Sequence, residues 1–470
     1  MTAPKTLGTP YQSPRIFGAD HRTATIGILM VVTLIAFEGM SVGVVMPEVS
    51  KVLDAERLYG ISFSAFLIAS LFANVVAGLW SDRRGYRVPF VAGVVLFVIG
   101  MGLAGAATSG AVFVISRGVQ GLGAGAAMVA LYVVIARVYP AEVRPKVFAA
   151  LSAAWVVPAM VGPAIAGLVA DHAGWQWVFW GIIPIVVPAL IMLVPVLTRP
   201  VSVDVEPSTG PRSRPGPMTV AATLAAGGAG LLLFGVELLF GTEGSAARPL
   251  EGTLATVAAL AMLGFGLHRL LPPGALRFRR GLPTTVMMRG LYSAAFFGVN
   301  ANIPRALSDV KDFDTTSAGL ALTAGALGWS FGSYLQSRRE SEPHRRMRFG
   351  GACVSAGVLV TLLSVVPGVS GWIAAPAWIV AGLGMGLAMT TVSVTALKQS
   401  PVEEQGANSA SLSVTDMLGS ALAIGIAGAV SNVIGYASAS QVATGFLVIA
   451  SMMACVALAS VVLAGRTREA

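Results

Sequence analysis

The chain has 470 residues, 55% of them apolar and only 11% charged, with 31 Lys+Arg against 22 Asp+Glu. A soluble globular protein carries about 25% charged residues, so this chain lacks the charge to coat a water-facing surface and reads as an all-α integral membrane protein. Two cysteines, Cys353 and Cys455, lie inside apolar runs and exclude a disulfide scaffold, and His21, His172, His268 and His344 lie at or beyond run ends, leaving no buried His-based metal site.

Residues 1–23 form a polar tail with Lys5, Arg15 and Arg22 and no apolar segment beside a cleavage site, so no removable signal peptide is expected. Six apolar runs follow near 24–46, 60–80, 88–108, 111–138, 147–170 and 176–197, forming a first bundle over 24–197. The stretch 198–217, rich in Pro, Ser and Gly, is a flexible cytoplasmic linker. Two runs at 218–241 and 252–272, with a basic loop to 283, form an inserted hairpin. Six more, near 284–306, 316–335, 347–367, 372–397, 408–434 and 442–464, make a second bundle over 284–465, before a tail at 466–470. Each run approaches the roughly 20 residues that span a bilayer as a helix, and lipid gives an unpaired backbone no partner, so all fourteen are expected to be helical and to cross.

With the N-terminus inside, cytoplasmic segments hold 24 Lys/Arg and the opposite side holds four: Lys51, Arg57, Arg248 and Lys311. That asymmetry predicts both termini in the cytoplasm. Positive charge spread along loops on one side also argues against a nucleic-acid surface, which needs it clustered.

The two bundles repeat. Gly121-Leu-Gly-Ala-Gly-Ala-Ala-Met128 recurs as Gly382-Leu-Gly-Met-Gly-Leu-Ala-Met389, and at the same 261-residue offset Pro140 meets Pro401, Glu142 meets Glu403 and Gly167 meets Gly428. Gly78 to Asp82 aligns with Gly332 to Gln336 at an offset of 254. Repeated bundles with a site at their junction are a common transporter plan.

With these residues in view, the chain resembles the major facilitator superfamily, most closely its fourteen-helix drug/proton antiporter branch. The loop after the second run is similar to G-x-x-x-D-R-x-G-R-[RK] through Gly78, Asp82, Arg83, Gly85 and Arg87, with Tyr86 where a basic residue is usual. Arg117, Gln120, Gly121, Gly123 and Ala124 resemble R-x-x-Q-G-x-G-A, and Pro158, Gly162, Pro163, Ala166 and Gly167 resemble the antiporter motif G-x-x-x-G-P-x-x-G-G with two glycines replaced. Glu38 and Pro47 keep the acid-to-proline spacing of D-x-T-V-V-N-V-A-L-P, with Met40 and Gly43 in place of Thr and Asn. The resemblance implies alternating access by two rocking bundles, and a latch in which Asp82 caps a helix of the other bundle or pairs with a cation. The residues alone read equally as a solvated turn.

An ionised group at the bilayer centre costs at least about 2.5–3.5 kcal/mol. Arg289, Arg305 and Glu237 lie near run ends, where snorkelling relieves that cost. Glu38, Arg117 and Asp416 remain as proton-coupling candidates. At about 1.5 Å per residue, Glu38 lies roughly 21 Å along the first run, and Arg117 lies roughly 9 Å from the outer boundary of a ~30 Å core, so their depths agree. Glu38 is expected to carry the proton with Arg117 modulating it, since burial and a nearby guanidinium pull an acid's pKa in opposite senses. Asp416 occupies the repeat position of Trp155 and reads either as a second proton or cation site or as a structural hydrogen-bonding group. Trp155, Asn300 and Asn302 are candidate substrate contacts, the two amides reading equally as interhelical hydrogen bonds. Gly162-Pro163 is expected to kink its helix at a moving interface.

The expected function is proton-driven export of small lipophilic or amphipathic compounds from the plasma membrane of a bacterium. A metabolite facilitator or symporter and a lipid transporter are the alternatives. No enzyme is expected, for want of a nucleophile or metal constellation. No cofactor is expected beyond the proton gradient, and a monomer in contact with its substrate, protons and lipids suffices.

Overall fold

The computed structural model describes residues 16–18, 21–140, 143–198, 215–241, 246–338 and 342–469. Most of the predicted linker, the N-terminal tail up to Arg15, and Glu142 lie outside the described residues. Among the described residues every regular element is helical. The first half runs α1 (Arg22–Val52), α2 (Tyr59–Arg84), α3 (Arg87–Gly105), α4 (Gly110–Val138), α5 (Arg144–Ala173), α6 (Gln176–Trp180) and α7 (Ile183–Thr198). Two helices follow, α8 (Pro215–Phe240) and α9 (Pro249–Leu270). The second half runs α10 (Leu282–Asn300), α11 (Ile303–Lys311), α12 (Thr315–Arg338), α13 (Pro343–Thr361), α14 (Ala374–Lys398), α15 (Gln405–Ile434) and α16 (Ala439–Leu463).

Every predicted run holds a helix. The sixth is interrupted between α6 and α7, and the ninth breaks at Ala301-Asn302 between α10 and α11. Twelve helical stretches among the described residues are long and apolar enough to cross a membrane. The expected count of fourteen includes α10 and α12, which fall short of that mark. α10 carries Thr284, Thr285, Arg289 and Ser293, and α12 is rich in Ser, Thr and Gly.

Glycine rows set the packing, because small residues let helix backbones approach where lipid supplies no hydrophobic contrast. Gly121 and Gly125 of α4 lie against the carbonyls of Phe66 and Ser70 in α2, while Gly123 lies against α3. At the 261-residue offset, Gly382 and Gly386 of α14 lie against the carbonyls of Gly325 and Trp329 in α12, and Gly384 lies against α13. The duplication is thus carried in the helix each glycine meets. It also corrects the expected alignment of α2 with α12: Phe66 corresponds to Gly325 and Ser70 to Trp329, an offset of 259 rather than 254. The Gly78/Gly332 match was read at helix ends, where nothing in the sequence records which turn faces α4 or α14.

A further repeat-related pair of glycines, Gly167 and Gly428, joins the halves. A Cβ on Gly167 of α5 would fall 2.6 Å from the Thr316 Cα in α12, and one on Gly428 of α15 would fall 2.7 Å from the Gly60 Cα in α2. Two seams, α5/α12 and α15/α2, therefore close backbone to backbone. Beside the second of them, α8 packs on both α2 and α15. Leu233 of α8 sits over Gly425 next to the Ser64 hydroxyl, and Ser411 of α15 donates to the Leu270 carbonyl of α9 at 2.8 Å.

Candidate functional site

Glu38 on α1 and Arg117 on α4 are 1% and 2% exposed. Arg117 Nη1 donates to Glu38 Oε1 and also to Oε1 of Gln120, one turn along α4. The Phe66 ring lies under the guanidinium, 4.6 Å from Cζ to the ring centroid. Glu38 Oε2, Arg117 Nε and Gln120 Nε2 are buried without a protein partner. A buried charge is tolerated only when paired, and the agreement of depth read from the sequence becomes direct contact here.

The repeat position of Arg117 in the second half is Trp378. Its indole stacks on Phe296 at 4.7 Å and donates from Nε1 to Asn300 Oδ1 at 2.9 Å. The buried pair of the first half is thus matched by an uncharged aromatic stack in the second. Asn300 is engaged by that bond between α10 and α14, and Asn302 Nδ2 donates to the Gly298 carbonyl of its own chain segment at 2.9 Å. Trp155 is 37% exposed on α5.

Asp416 on α15 has a partner that sequence reasoning placed elsewhere. Arg289 Nε and Nη2 donate to Asp416 Oδ2 at 3.0 and 2.8 Å, Arg289 Nη1 reaches the Ser393 hydroxyl at 2.9 Å, and Ser293 donates to Oδ1. The two side chains are 25% and 26% exposed. The snorkelling expected of Arg289 is replaced by an ion pair. Within the second half Asp416 is the one acid inside a run, but Arg289 and Arg305 both lie in the ninth run, so the sequence leaves two candidate partners for it. Arg305 is also not snorkelling: it is 5% exposed, lies over the rings of Tyr59 and Tyr436, and pairs with Asp309, which in turn binds Lys51 of α1 at 2.6 Å.

Contacts between the halves gather at the face remote from the chain termini. Besides Lys51–Asp309, the Tyr59 hydroxyl donates to the Ala301 carbonyl at 2.7 Å, and Asn432 donates to the Arg57 carbonyl at 2.9 Å. Asp171, at the last turn of α5, accepts from the Thr316 N–H and hydroxyl at the start of α12. A carboxylate capping a helix of the other half is one of the two arrangements expected of Asp82, the other being a pairing with a cation. Asp82 sits exposed in the last turn of α2, with Arg137 of α4 as its cationic neighbour. Arg137 also lies 5.9 Å over the Tyr86 ring, which accounts for an aromatic at that loop position. Gly85 ends α2 with φ +89°, a conformation only glycine adopts freely, so Asp82, Arg83 and Arg84 close one helix and Arg87 opens the next. Gly78 faces Val129 of α4.

The α5 motif lies at an interface between the halves. Pro158 and Pro163 are both contained in a continuous α5. Pro163, Gly167 and Asp171, spaced one turn apart, line the seam: Gly319 of α12 lies against the Pro163 carbonyl, Gly167 lies against Thr316, and Asp171 supplies the cap. Gly162 faces α1 at Phe37 and Ser41. Among the described residues no group of three or more His, Cys, Asp or Glu side chains is arranged to hold a metal ion.

Comparison with known proteins agrees with this architecture. The chain is 24% identical over 323 residues to the multidrug efflux pump SdrM of Staphylococcus aureus, covering 68% of this chain and 70% of that one. It is 24% identical over 428 residues to the multidrug transporter protein MdtP of Bacillus subtilis, covering 88% and 76%. Among solved structures it superposes on a bacterial homolog of the human lysosomal transporter Spinster, in an inward-facing and occupied conformation, with a TM-score of 0.63, 13% identity and coverage of 97% and 98%. It also matches a POT family transporter in complex with a thioalcohol-conjugated peptide, with a TM-score of 0.66, 13% identity and coverage of 97% and 99%. These two share the fold. The family model of the Major Facilitator Superfamily matches residues 28–424, and the chain belongs to that superfamily.

Proposed function

We propose that this chain is a proton-coupled antiporter that exports small lipophilic or amphipathic compounds by alternating access. The observation that carries the reading is the Glu38–Arg117 pair, an acid withdrawn from water with one dedicated cation between two helices of the first half. Such a group is expensive to keep in a membrane protein and marks an ion pathway by default. The names of the bacterial efflux relatives support drug-like substrates.

In this reading α10 and α12 cross the membrane with the twelve more apolar stretches, giving fourteen crossings. The bundles are 24–197 and 284–465, with 198–217 as linker and 218–283 as the inserted hairpin and its basic loop. Both termini face the cytoplasm of a bacterial cell, by the excess of Lys and Arg on that side. The contacts at the remote face then close the outside, and this is an inward-facing form. A released Asp82 fits it. Glu38 takes a proton from outside and gives it up inside as substrate leaves the other way, and Asp416, paired with Arg289, is a second coupling group. The protein works as a monomer, transforms no substrate and uses no cofactor beyond the proton gradient.

The test is flux in reconstituted vesicles under an imposed pH gradient, screened with lipophilic cations, neutral drugs and lipids. Flux that collapses with the gradient is expected. Glu38→Gln is expected to abolish it while ligand binding stays measurable. Wild-type coupling in that variant, or no gradient-dependent flux of any compound, overturns the reading.

A further inference from the structure

We propose that Phe66 of α2 is a positioning residue of the proton site: its ring face holds the Arg117 guanidinium while Glu38 carries the proton. The proposal rests on the proton-coupled reading above and deepens it.

The difficulty it resolves is local. Arg117 is buried and its guanidinium has two hydrogen-bond acceptors, both on Nη1, of which Glu38 is the charged one. Among the described residues, Arg117 is also the one ion-pair partner of Glu38. No second ion stands ready when the carboxylate is neutralised. Protonation at the unpartnered Oε2 leaves Oε1 a neutral acceptor, so the buried cation keeps two uncharged oxygens, on Glu38 and Gln120, and no counter-charge, and an uncompensated buried charge is strongly unfavourable. The remaining neighbour is the Phe66 ring, its centroid 4.6 Å from Cζ, and a desolvated cation over an aromatic face is attracted to it. With Glu38 ionised, the carboxylate already satisfies the guanidinium. With Glu38 neutral, two uncharged oxygens and the ring face are what is left, so the ring contributes more to the protonated state.

The backbone is built to keep the ring there. Gly121 lies directly against the Phe66 carbonyl, so any side chain at 121 would push α2 off α4 and carry the ring away. The second half supplies an internal comparison. There the position of Arg117 is Trp378 and that of Phe66 is Gly325, and a Cβ on Gly325 would run into the Trp378 indole. Where the charge is absent, the ring that would hold it is absent too, and its space is filled by the indole.

The experiment follows the infrared carboxyl C=O band that Glu38→Gln removes, in purified full-length protein in lipid nanodiscs titrated with pH. Phe66→Leu is expected to move its midpoint to more acid pH by about one unit, a tenfold higher proton concentration, and Phe66→Trp is expected to hold it near wild type. A ring-fluorinated phenylalanine at 66 keeps the shape but drains the face of charge, and is expected to shift the midpoint as leucine does, which covers a leucine variant that fails to fold. An unchanged midpoint in the fluorinated protein, equal shifts for Leu and Trp, or no titrating Glu38 band at any pH overturns the proposal. Gradient-driven flux in vesicles separates the two ideas. A band that shifts as expected in a protein whose flux ignores the gradient leaves the Phe66 assignment standing and sinks antiport. Coupled flux with an unmoved band sinks the assignment alone.

Discussion

Thr316 gives both its backbone N–H, at 3.1 Å, and its hydroxyl, at 2.6 Å, to the same oxygen of Asp171. One residue of the second half is thereby capped by a carboxylate of the first, at the end of the seam lined by Gly167 and Gly319. Losing a helix cap typically costs about 0.5–2 kcal/mol. Asp171→Ala is therefore expected to favour opening of the remote face by roughly 2- to 30-fold. Distances between spin labels on the remote ends of α5 and α12 read the change, and an unchanged distribution would show that the cap holds nothing shut.

Gly428 offers a sharper way to disturb the other seam. Its Cβ would stand 2.7 Å from the Gly60 Cα, a backbone atom that cannot swing aside. Overpacking of this kind costs about 1–3 kcal/mol, and here it penalises only the arrangement in which α15 and α2 touch. Gly428→Val is expected to fold, to bind substrate and to lose transport because the remote face no longer closes. Accessibility of a cysteine introduced at Tyr59 to an impermeant thiol reagent should rise; protection equal to that of the Tyr59→Cys parent would refute the wedge.

The two ion pairs should respond differently to truncation. Removing one partner of a buried pair leaves an uncompensated charge, at a cost of about 3–5 kcal/mol, whereas a solvent-accessible pair contributes about 0–1 kcal/mol. Glu38→Ala is expected to lower the melting temperature well below that of Asp416→Ala, whose arginine keeps Ser393 and access to water. Replacing both Glu38 and Arg117 with methionine is expected to recover most of the stability and none of the gradient-driven flux. Thermal melts in detergent, run beside the vesicle assay, settle the comparison.

Much of this arrangement is legible before any coordinates. Length and apolarity located the helices, and glycine spacing exposed the duplication. The cost of burying charge singled out Glu38 and Arg117, which meet in the folded chain. What stayed hidden depends on which turn of one helix faces which turn of another. Arg289 lies near a helix start in sequence, yet α10 presents it to α15, so an apparent snorkel is an ion pair. Asp171 looked like ordinary polar punctuation at the end of an apolar run, because its partner lies 145 positions away. Phe66 had no signal of its own: one aromatic among twenty phenylalanines gains meaning only from the cation above it.

The placement of α8 over the α15/α2 junction has a consequence for the surroundings of the molecule. The two joints are twins in their internal construction, but one is lagged by α8, seated on α15 through Leu233, with α9 tied to α15 through Ser411, while among the described residues the α5/α12 joint has no such cover. In the proposed alternating-access cycle each rocking stroke would then shear against protein on one flank and against acyl chains on the other, so membrane fluidity and lipid type would bear on the cycle through a single side.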